Sequence, residues 1–391
     1  MAVVCPHRPE RRLAARNQGH SMTQIPSLQN LPRTSALLCL EVERFCLRQL
    51  ALTRGSHLVV AISGGADSTA LALILSLLAP RLDLRLSALS INHGLRPEAE
   101  GDTAHAQAVC QTLGIPCAVR KADVKGFAAK HHMGEEEAGR SIRYSLLEEE
   151  RFTQHAHFIA LGHHREDLSE DVLLRLVRGA GWPSLGGMPA RDDKRHLLRP
   201  LLTCCPDDLK QLLAQCGLSW CEDASNQSTQ YRRNRLRLQV LPLLRAENPA
   251  LDRSIGHMWQ LAGMDRDYWE KLLDNALLVH PWQEIKQEQR GCPATGRSIL
   301  LPRSLLRALH PAARLRLYMR AVQHLCADGL PSDAATSVLP QPAPYAQGRA
   351  STLLALDEAL TQGRGNTRFQ LPGGFEAHLK GGAITFSQSA S

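Results

Sequence analysis

Between Leu58 and Arg178 the apolar residues change period repeatedly. Runs that are apolar throughout, or at every second position, predict strands at Leu58–Ser63, Leu84–Asn92, Cys117–Ala122 and Phe158–Gly162. Spacings of three and four predict helices at Asp67–Leu78, Glu98–Leu113, Glu135–Glu150 and Glu166–Arg178, with a lead-in helix over Ser35–Thr53. Such alternation predicts an α/β unit: a parallel sheet covered on both faces, with ligands at the carboxyl ends of its strands. The unit is expected to span 35–244. Beyond it, Asn248-Pro249 predicts a helix start, with an Asn N-cap and Pro at the first helical position. That helix is expected to run to about Leu278, with further helices at Leu301–Cys326 and Leu353–Thr361. The Pro-rich stretch PSDAATSVLPQPAPYAQG predicts a mobile loop, and the tail TRFQLPGGFEAHLKGGAITFS a closing β-hairpin. Residues 245–391 are therefore expected to form a mostly helical second domain.

Composition narrows the class. A chain of 391 residues that is 43% hydrophobic supports one large core or two to three modest ones. It contains no run of about 18 uncharged apolar residues, so no membrane-spanning helix is expected. Residues 1–34 begin Arg-rich and lack an apolar signal core. They are expected to be a disordered extension or a mis-assigned start with the true one at Met22, a transit peptide being a further option. The 11 cysteines are scattered without any C-x-x-C, which predicts a reducing cytoplasm and no disulfide scaffold. A formal charge of +8 suits a polyanionic partner.

The most informative stretch is LVVAISGGADSTALALI, Leu58 to Ile74. A strand that stops at Ser63-Gly64-Gly65 and hands over to a helix near Asp67 makes an anion site. The glycines admit a phosphate close to the backbone, exposed N–H groups face it, and the helix N-terminus adds its dipole. The hydroxyls of Ser63 and Ser68 suit phosphate oxygens. Asp67 would repel them, so its expected use is to hold Mg²⁺ against the phosphates. The Lys of a Walker loop is missing.

Three further segments follow strand ends or open a helix: INHGLRPEAEGD, EEEAGRSIRYSLL and ALGHHREDLSEDVLLRLVRGAGWPSLGGM. Asp167 and Glu170, at i and i+3 near a helix start, reach one space; acids also enrich any first helical turn through the dipole. Arg140 and Arg143 share a helix face, an arrangement equally ordinary for a solvated surface. His163 and His164 point opposite ways if they lie on a strand, which disfavours a shared metal. Near Tyr231, the arginines Arg232, Arg233, Arg235 and Arg237 form the densest basic cluster, suited to phosphates and to stacking a base. Arg314, Arg316 and Arg320 are further candidates for RNA contact.

S-G-G-x-D-S resembles the loop of the ATP pyrophosphatase (PP-loop) superfamily, whose fold is adenine nucleotide alpha hydrolase-like. The order S-G-G-x-D-S, N-H-G-L-R, E-x-x-x-R-x-x-R-Y, H-H-x-x-D-x-x-E and S-N-x-x-x-x-Y-x-R-N-x-x-R resembles the tRNA(Ile)-lysidine synthetase family, across roughly Leu58 to Leu244. The resemblance implies ATP-dependent adenylation of the 2-carbonyl of the wobble cytidine in the CAU anticodon of tRNA(Ile). The ε-amine of L-lysine then displaces AMP. It further implies that Ser63, Gly64, Gly65, Ala66, Asp67 and Ser68 hold ATP, with Asp67 on Mg²⁺ and His163 and His164 against the nucleotide. His93, Arg96, Asp167 and Glu170 would be catalytic, with Asp167 and Glu170 also binding lysine. Arg140, Arg143, Arg232, Arg233, Arg235 and Arg237 would meet tRNA, and 245–391 would be a tRNA-binding domain. Lysine arrives protonated, with a pKa near about 10.4, so two carboxylates to bind the ammonium and take its proton make chemical sense.

The chain departs from the family's usual x-D-D-Q-x-E-T after His-His, carrying Glu166, Leu168 and Asp171 at changed positions. The additional C-terminal domain of longer members is not recognisable. A tRNA-thiolating relative is the alternative, although this chain offers only the adjacent Cys204-Cys205 as paired cysteines. A binding module with a decayed nucleotide site is disfavoured by the intact S-G-G-A-D-S. The sequence leaves open whether the chain works as a homodimer.

Overall fold

In a computed structural model of the chain, the described residues are 25–94, 99–222, 232–287, 296–327 and 349–388. Arg96, Tyr231, the first 24 residues and the Pro-rich stretch 331–348 fall outside them.

The first sheet contains six strands in the order β3-β2-β1-β4-β6-β5. These are β1 (His57–Ala61), β2 (Arg85–Asn92), β3 (Cys117–Lys121), β4 (Phe158–Ala160), β5 (Arg191–Asp192) and β6 (Leu197–Leu198). All neighbours pair in parallel except β5 and β6, a short antiparallel ribbon the sequence pattern did not reveal. At two residues each, β5 and β6 carry no readable period. The other four strands overlap the expected spans: β1 begins one residue early, and all but β2 end one or two residues earlier.

Strand β1 is buried on both faces, the mark of a central parallel strand. Leu58 and Val60 enter the larger core, whereas Val59 turns to the opposite side, against Leu147 of α5 (Glu135–Thr153). The larger core is filled from α1 (Arg33–Arg48), α2 (Ala66–Leu82) and α3 (Ala99–Thr112), joined by α6 (Arg165–Val177) and α7 (Pro206–Gln215). A smaller cluster underlies α4 (Val124–His131). Helix α2 is apolar nearly all round because helices and sheet enclose it: Leu71, Leu73, Ile74, Leu75 and Leu78 are fully buried. Truncating any one of them to Ala costs about 2–5 kcal/mol.

Beyond α7 the chain continues through α8 (Arg232–Arg235), a π-helical turn (Leu236–Val240) and α9 (Leu241–Glu247). The next helix, α10 (Leu251–Val279), begins after the expected start. Asn248 does not cap it: its Oδ1 accepts the Ala250 N–H at 2.9 Å, folding Asn248-Pro249 into a turn between helices. Helix α10 is 29 residues long. Ile255 and Trp259 belong to the larger core and Leu273 to a second one, so a single helix serves both.

The second core packs α11 (Arg303–Ala308), α12 (Pro311–Ala327) and α13 (Arg349–Thr361) against an antiparallel sheet of order β7-β8-β11-β10-β9. Its strands are β7 (Gln283–Gln287), β8 (Gly296–Leu301), β9 (Thr367–Leu371), β10 (Phe375–Lys380) and β11 (Ala383–Gln388). The expected tail hairpin is thus three strands of a five-stranded sheet. The helix expected over Leu301–Cys326 is two helices, because Pro302 and Pro311 each open a new one. Arg314, Arg316 and Arg320 are engaged inside the fold. Arg314 makes a bidentate pair with Asp357, Arg316 lies 4.1 Å over the Trp269 ring, and Arg320 reaches Asp274 at 2.6 Å.

Candidate active site at the switch point of the sheet

Strand β1 lies between β2 and β4, and β2 and β4 open toward opposite edges of the sheet. A crevice forms where strand order reverses, at the carboxyl ends of β1 and β4. The glycine loop follows β1. Gly64 has φ +84°, and a Cβ there would lie 2.8 Å from the Asp102 carbonyl, so the turn excludes a side chain on two counts. Gly65 precedes the first residue of α2 and no side chain caps that helix, leaving its N–H groups facing the crevice. Ser68 Oγ accepts the Ser63 N–H at 3.1 Å and donates to the Gly65 carbonyl at 3.1 Å. Ser68 therefore braces the loop, and the Ser63 hydroxyl lies 3.1 Å from Ser68 Oγ. Opposite, a Cβ at Gly162 would lie 3.1 Å from the Asp67 backbone, so the exit of β4 passes tightly over the first turn of α2.

His164 begins the second wall as the N-cap of α6. Its Nδ1 accepts the Glu166 N–H at 3.2 Å, and Asp167 Oδ2 accepts the His164 N–H at 2.9 Å, a reciprocal cap. His164 Nε2 lies 3.4 Å from Asp67 and 3.6 Å from Asp167. Burial opposes charging this ring, but hydrogen bonding to Asp67 and the charges of Asp167, Asp67 and Glu166 outweigh it and raise its pKa. The glycine loop and the α6 acids are thus joined through one imidazole.

Asp167 and Glu170 do share one space, and two arginines fill it. Arg233 donates to Asp167 at 2.6 Å and to Glu170 at 2.5 Å; Arg237 donates to Glu170. Glu170 has 0% side-chain exposure, while Arg233 and Arg237 retain 29% and 31%. Arg233 and Arg237 lie four residues apart where α8 gives way to the π-helical turn, which presents both heads to α6. The cluster holds two carboxylates and two guanidiniums, so its formal charge is zero.

Residues 40–244 match the family profile of the PP-loop domain. Over 339 residues the chain is 46% identical to the tRNA(Ile)-lysidine synthase of Nitratidesulfovibrio vulgaris, covering 85% of this chain and 92% of that one. The chain belongs to the tRNA(Ile)-lysidine synthase family. It is also 32% identical to the lysidine synthase of Thermobifida fusca, over 86% of this chain and 93% of the relative. With that of Geobacillus kaustophilus it shares 32% identity, covering 71% of this chain and 60% of the relative.

In this member of the family, the wall facing the acids is cationic. Arg140 and Arg143 of α5 each lie 5.4 Å from the Tyr144 ring, and their Nε atoms are enclosed without a hydrogen-bond acceptor among the described residues. They are therefore not the solvated face that their spacing alone suggested. Burial would raise the Tyr144 pKa, yet Arg143, Arg140, Arg199 and Arg195 bring it below its usual value. Arg199 donates to His163 Nδ1 at 3.2 Å. Burial first, then the charges of Arg199, Arg143, Arg233 and Arg140, hold the His163 pKa well below the usual range. The two neighbouring histidines do point apart, one to cations and the other to carboxylates.

Other expected site residues are placed plainly. Asn92 ends β2, and its Oδ1 accepts the Gly94 N–H at 2.9 Å, a turn cap. His93 follows, half-buried, at the carboxyl end of that strand. Arg232 and Arg235 lie on α8 beside the paired arginines. The departures from the family pattern also resolve: Glu166 pairs with Arg245 at 3.0 Å and Asp171 with Arg175 at 2.6 Å, while Leu168 faces the core.

Sequence reading quoted Tyr144 within a motif without giving it a role, and missed Arg199 and the link from Ser169 and Arg245 to Asp252. Arg199 did leave a signal: a lone arginine within the apolar run Leu197-Leu198-Arg199-Pro200-Leu201-Leu202. Membership of a PP-loop family implies ATP binding, and the bare glycine turn with its uncapped helix start fits a polyphosphate. For Mg²⁺ the donor set fits as well. Such an ion takes one or two carboxylates together with phosphate oxygens, and Asp67, 42% exposed, supplies the carboxylate.

Proposed function

We propose that this chain adenylates the 2-carbonyl oxygen of the wobble cytidine in the CAU anticodon of tRNA(Ile), then joins lysine to that carbon. The observation that carries the reading is the bridge Asp67–His164–Asp167, which sets a phosphate-binding turn beside a buried carboxylate pair. In the first step the cytidine oxygen bonds to the α-phosphorus of ATP and pyrophosphate leaves. The turn at Ser63–Ser68 holds the departing phosphates, and the start of α2 stabilises their charge. Mg²⁺ on Asp67 would neutralise charge on those phosphates.

In the second step the lysine ε-amine bonds to C2, and AMP departs carrying the former cytidine oxygen. The ε-ammonium takes the place that Arg233 and Arg237 occupy in the ligand-free protein. Asp167 or Glu170 accepts its proton as the C–N bond forms. The displaced arginines are then available to RNA phosphates, a use supported by their residual exposure and by Arg232 and Arg235 alongside. Residues 245–391 serve as a tRNA-binding domain, and a cytoplasmic setting supplies ATP, lysine and tRNA together.

The test is pyrophosphate release from ATP with a CAU-anticodon tRNA(Ile) transcript, run beside incorporation of labelled lysine. Lysine is expected to enter the RNA only with ATP and intact Asp67, and Asp67→Ala should abolish both readouts. Pyrophosphate release without lysine incorporation would leave the turn correctly read and the nucleophile wrong.

A further inference from the structure

We propose that Arg199 is a positioning residue that fixes His163 in one tautomer, so that His163 acts in the crevice as a hydrogen-bond donor through Nε2 and never as a base. This rests on the function proposed above for the meaning of the donor, though not for the tautomer itself.

An arginine Nε always bears its proton, so an Nε–H aimed at His163 Nδ1 at 3.2 Å requires a lone pair there. The imidazole is then neutral with its proton on Nε2. The guanidinium has little freedom to turn away. Arg199 is buried at the end of β6, its Nη1 donates to the Pro189 carbonyl at 2.7 Å, and its backbone N–H donates to Ala190 at 2.9 Å. The charged groups that act on His163 are Arg199 beside β4, Arg140 and Arg143 of α5, and Arg233 of α8, all of one sign. A positive charge on the ring meets four repulsions and burial. His164 faces the opposite environment, where carboxylates favour the charged ring.

The chemical consequence is a division of labour. Without an accessible lone pair, His163 cannot take the lysine proton, which leaves that task to Asp167 and Glu170. What His163 offers is an N–H, suited to an oxygen that gains negative charge, on the α-phosphate or on the cytidine.

The experiment uses full-length protein with ¹⁵N-labelled histidine, His163 being assigned from the spectrum of His163→Asn. Between about pH 5 and 8 the wild-type ring is expected to show a protonated Nε2 and an unprotonated Nδ1, without titration. A wild-type ring that titrates near about 6.5, or that carries its proton on Nδ1, overturns the proposal. In Arg199→Met nothing holds a lone pair at Nδ1, and the ring is expected to populate both neutral tautomers. Its tRNA-dependent pyrophosphate release should then fall about twofold relative to wild type, as about half the rings lose the Nε2–H. A variant whose spectrum and rate match wild type also overturns it. Should Arg199→Met not fold, Arg199→Lys keeps the charge but loses the fixed Nε–H direction, and both tautomers are expected; a single unchanged Nε2–H tautomer counts against the idea. Because the spectra need no substrate, a failure of lysine incorporation would be told apart from a failure of this proposal.

Discussion

Two of the arginine–carboxylate clusters among the described residues are built for different ends. In the second core, Arg314 grips both oxygens of Asp357, at 2.6 and 2.8 Å, and Tyr318 donates to the same carboxylate at 2.9 Å. Both charged side chains are nearly sealed, at 9% and 10% exposure. In the crevice, Asp167 and Glu170 meet Arg233 and Arg237 at similar distances, yet there only the acids are sealed and the cations keep a solvent face. A sealed pair has nowhere to go. A pair sealed on the anionic side alone can exchange one cation for another without exposing a bare carboxylate to an apolar interior. The difference between a structural staple and an exchangeable site thus lies in the burial of the cation, not in the strength of the contacts.

Removing the anion from each cluster should separate these roles most sharply. Asp357→Ala leaves Arg314 buried and unpaired, which typically costs about 3–5 kcal/mol. Urea denaturation is expected to show that loss, with activity per folded molecule unchanged. Glu170→Gln should instead spare much of the stability and lower lysine incorporation by about 10²–10⁴-fold, while tRNA-dependent pyrophosphate release persists. A stability loss in Glu170→Gln as large as in Asp357→Ala would erase the distinction. Arg237→Gln gives a smaller effect: with one resident cation gone, free enzyme should bind lysine several-fold more tightly by calorimetry, about 1 kcal/mol or less.

A further effect concerns His163, on which burial and four arginines act in the same direction. Its folded-state pKa is depressed, so the unfolded chain takes up a proton near about 6.5 that the folded protein refuses. Stability should therefore decline as pH falls below about 6.5, by at most about 1.4 kcal/mol per pH unit, until the folded pKa is reached. His163→Asn should remove that part of the slope in denaturation curves taken across the window.

Much of this was legible along the chain. The glycine turn and the order of the motifs are local patterns, and β1, β2 and β4 lie in apolar or alternating runs, so their placement followed from period alone. The pairing of Asp167 and Glu170 with Arg233 and Arg237 was not legible, because over 60 residues separate the partners and nothing in either segment names the other. Both segments were picked out separately, as a lysine site and as an RNA grip, and the fold superimposes them. Leu168 shows the converse. Read as a change within the acid motif, it lies on the far side of α6, where it packs against Gly187 and never meets the crevice. Strands β7 and β8 escaped notice because their polar alternation is short and flanks a helical signal.

Helix α10 has a mechanical consequence. One unbroken rod of 29 residues, about 43 Å long, is rooted at one end beside the crevice and at the other in the second core. It works as a ruler, setting both the distance and the azimuth between whatever each end holds. A single residue inserted near Met264 would advance the far half by only about 1.5 Å but swing it by about 100° around the axis. Each half should still fold, and if the second domain holds RNA as proposed, tRNA affinity measured by filter binding should fall steeply.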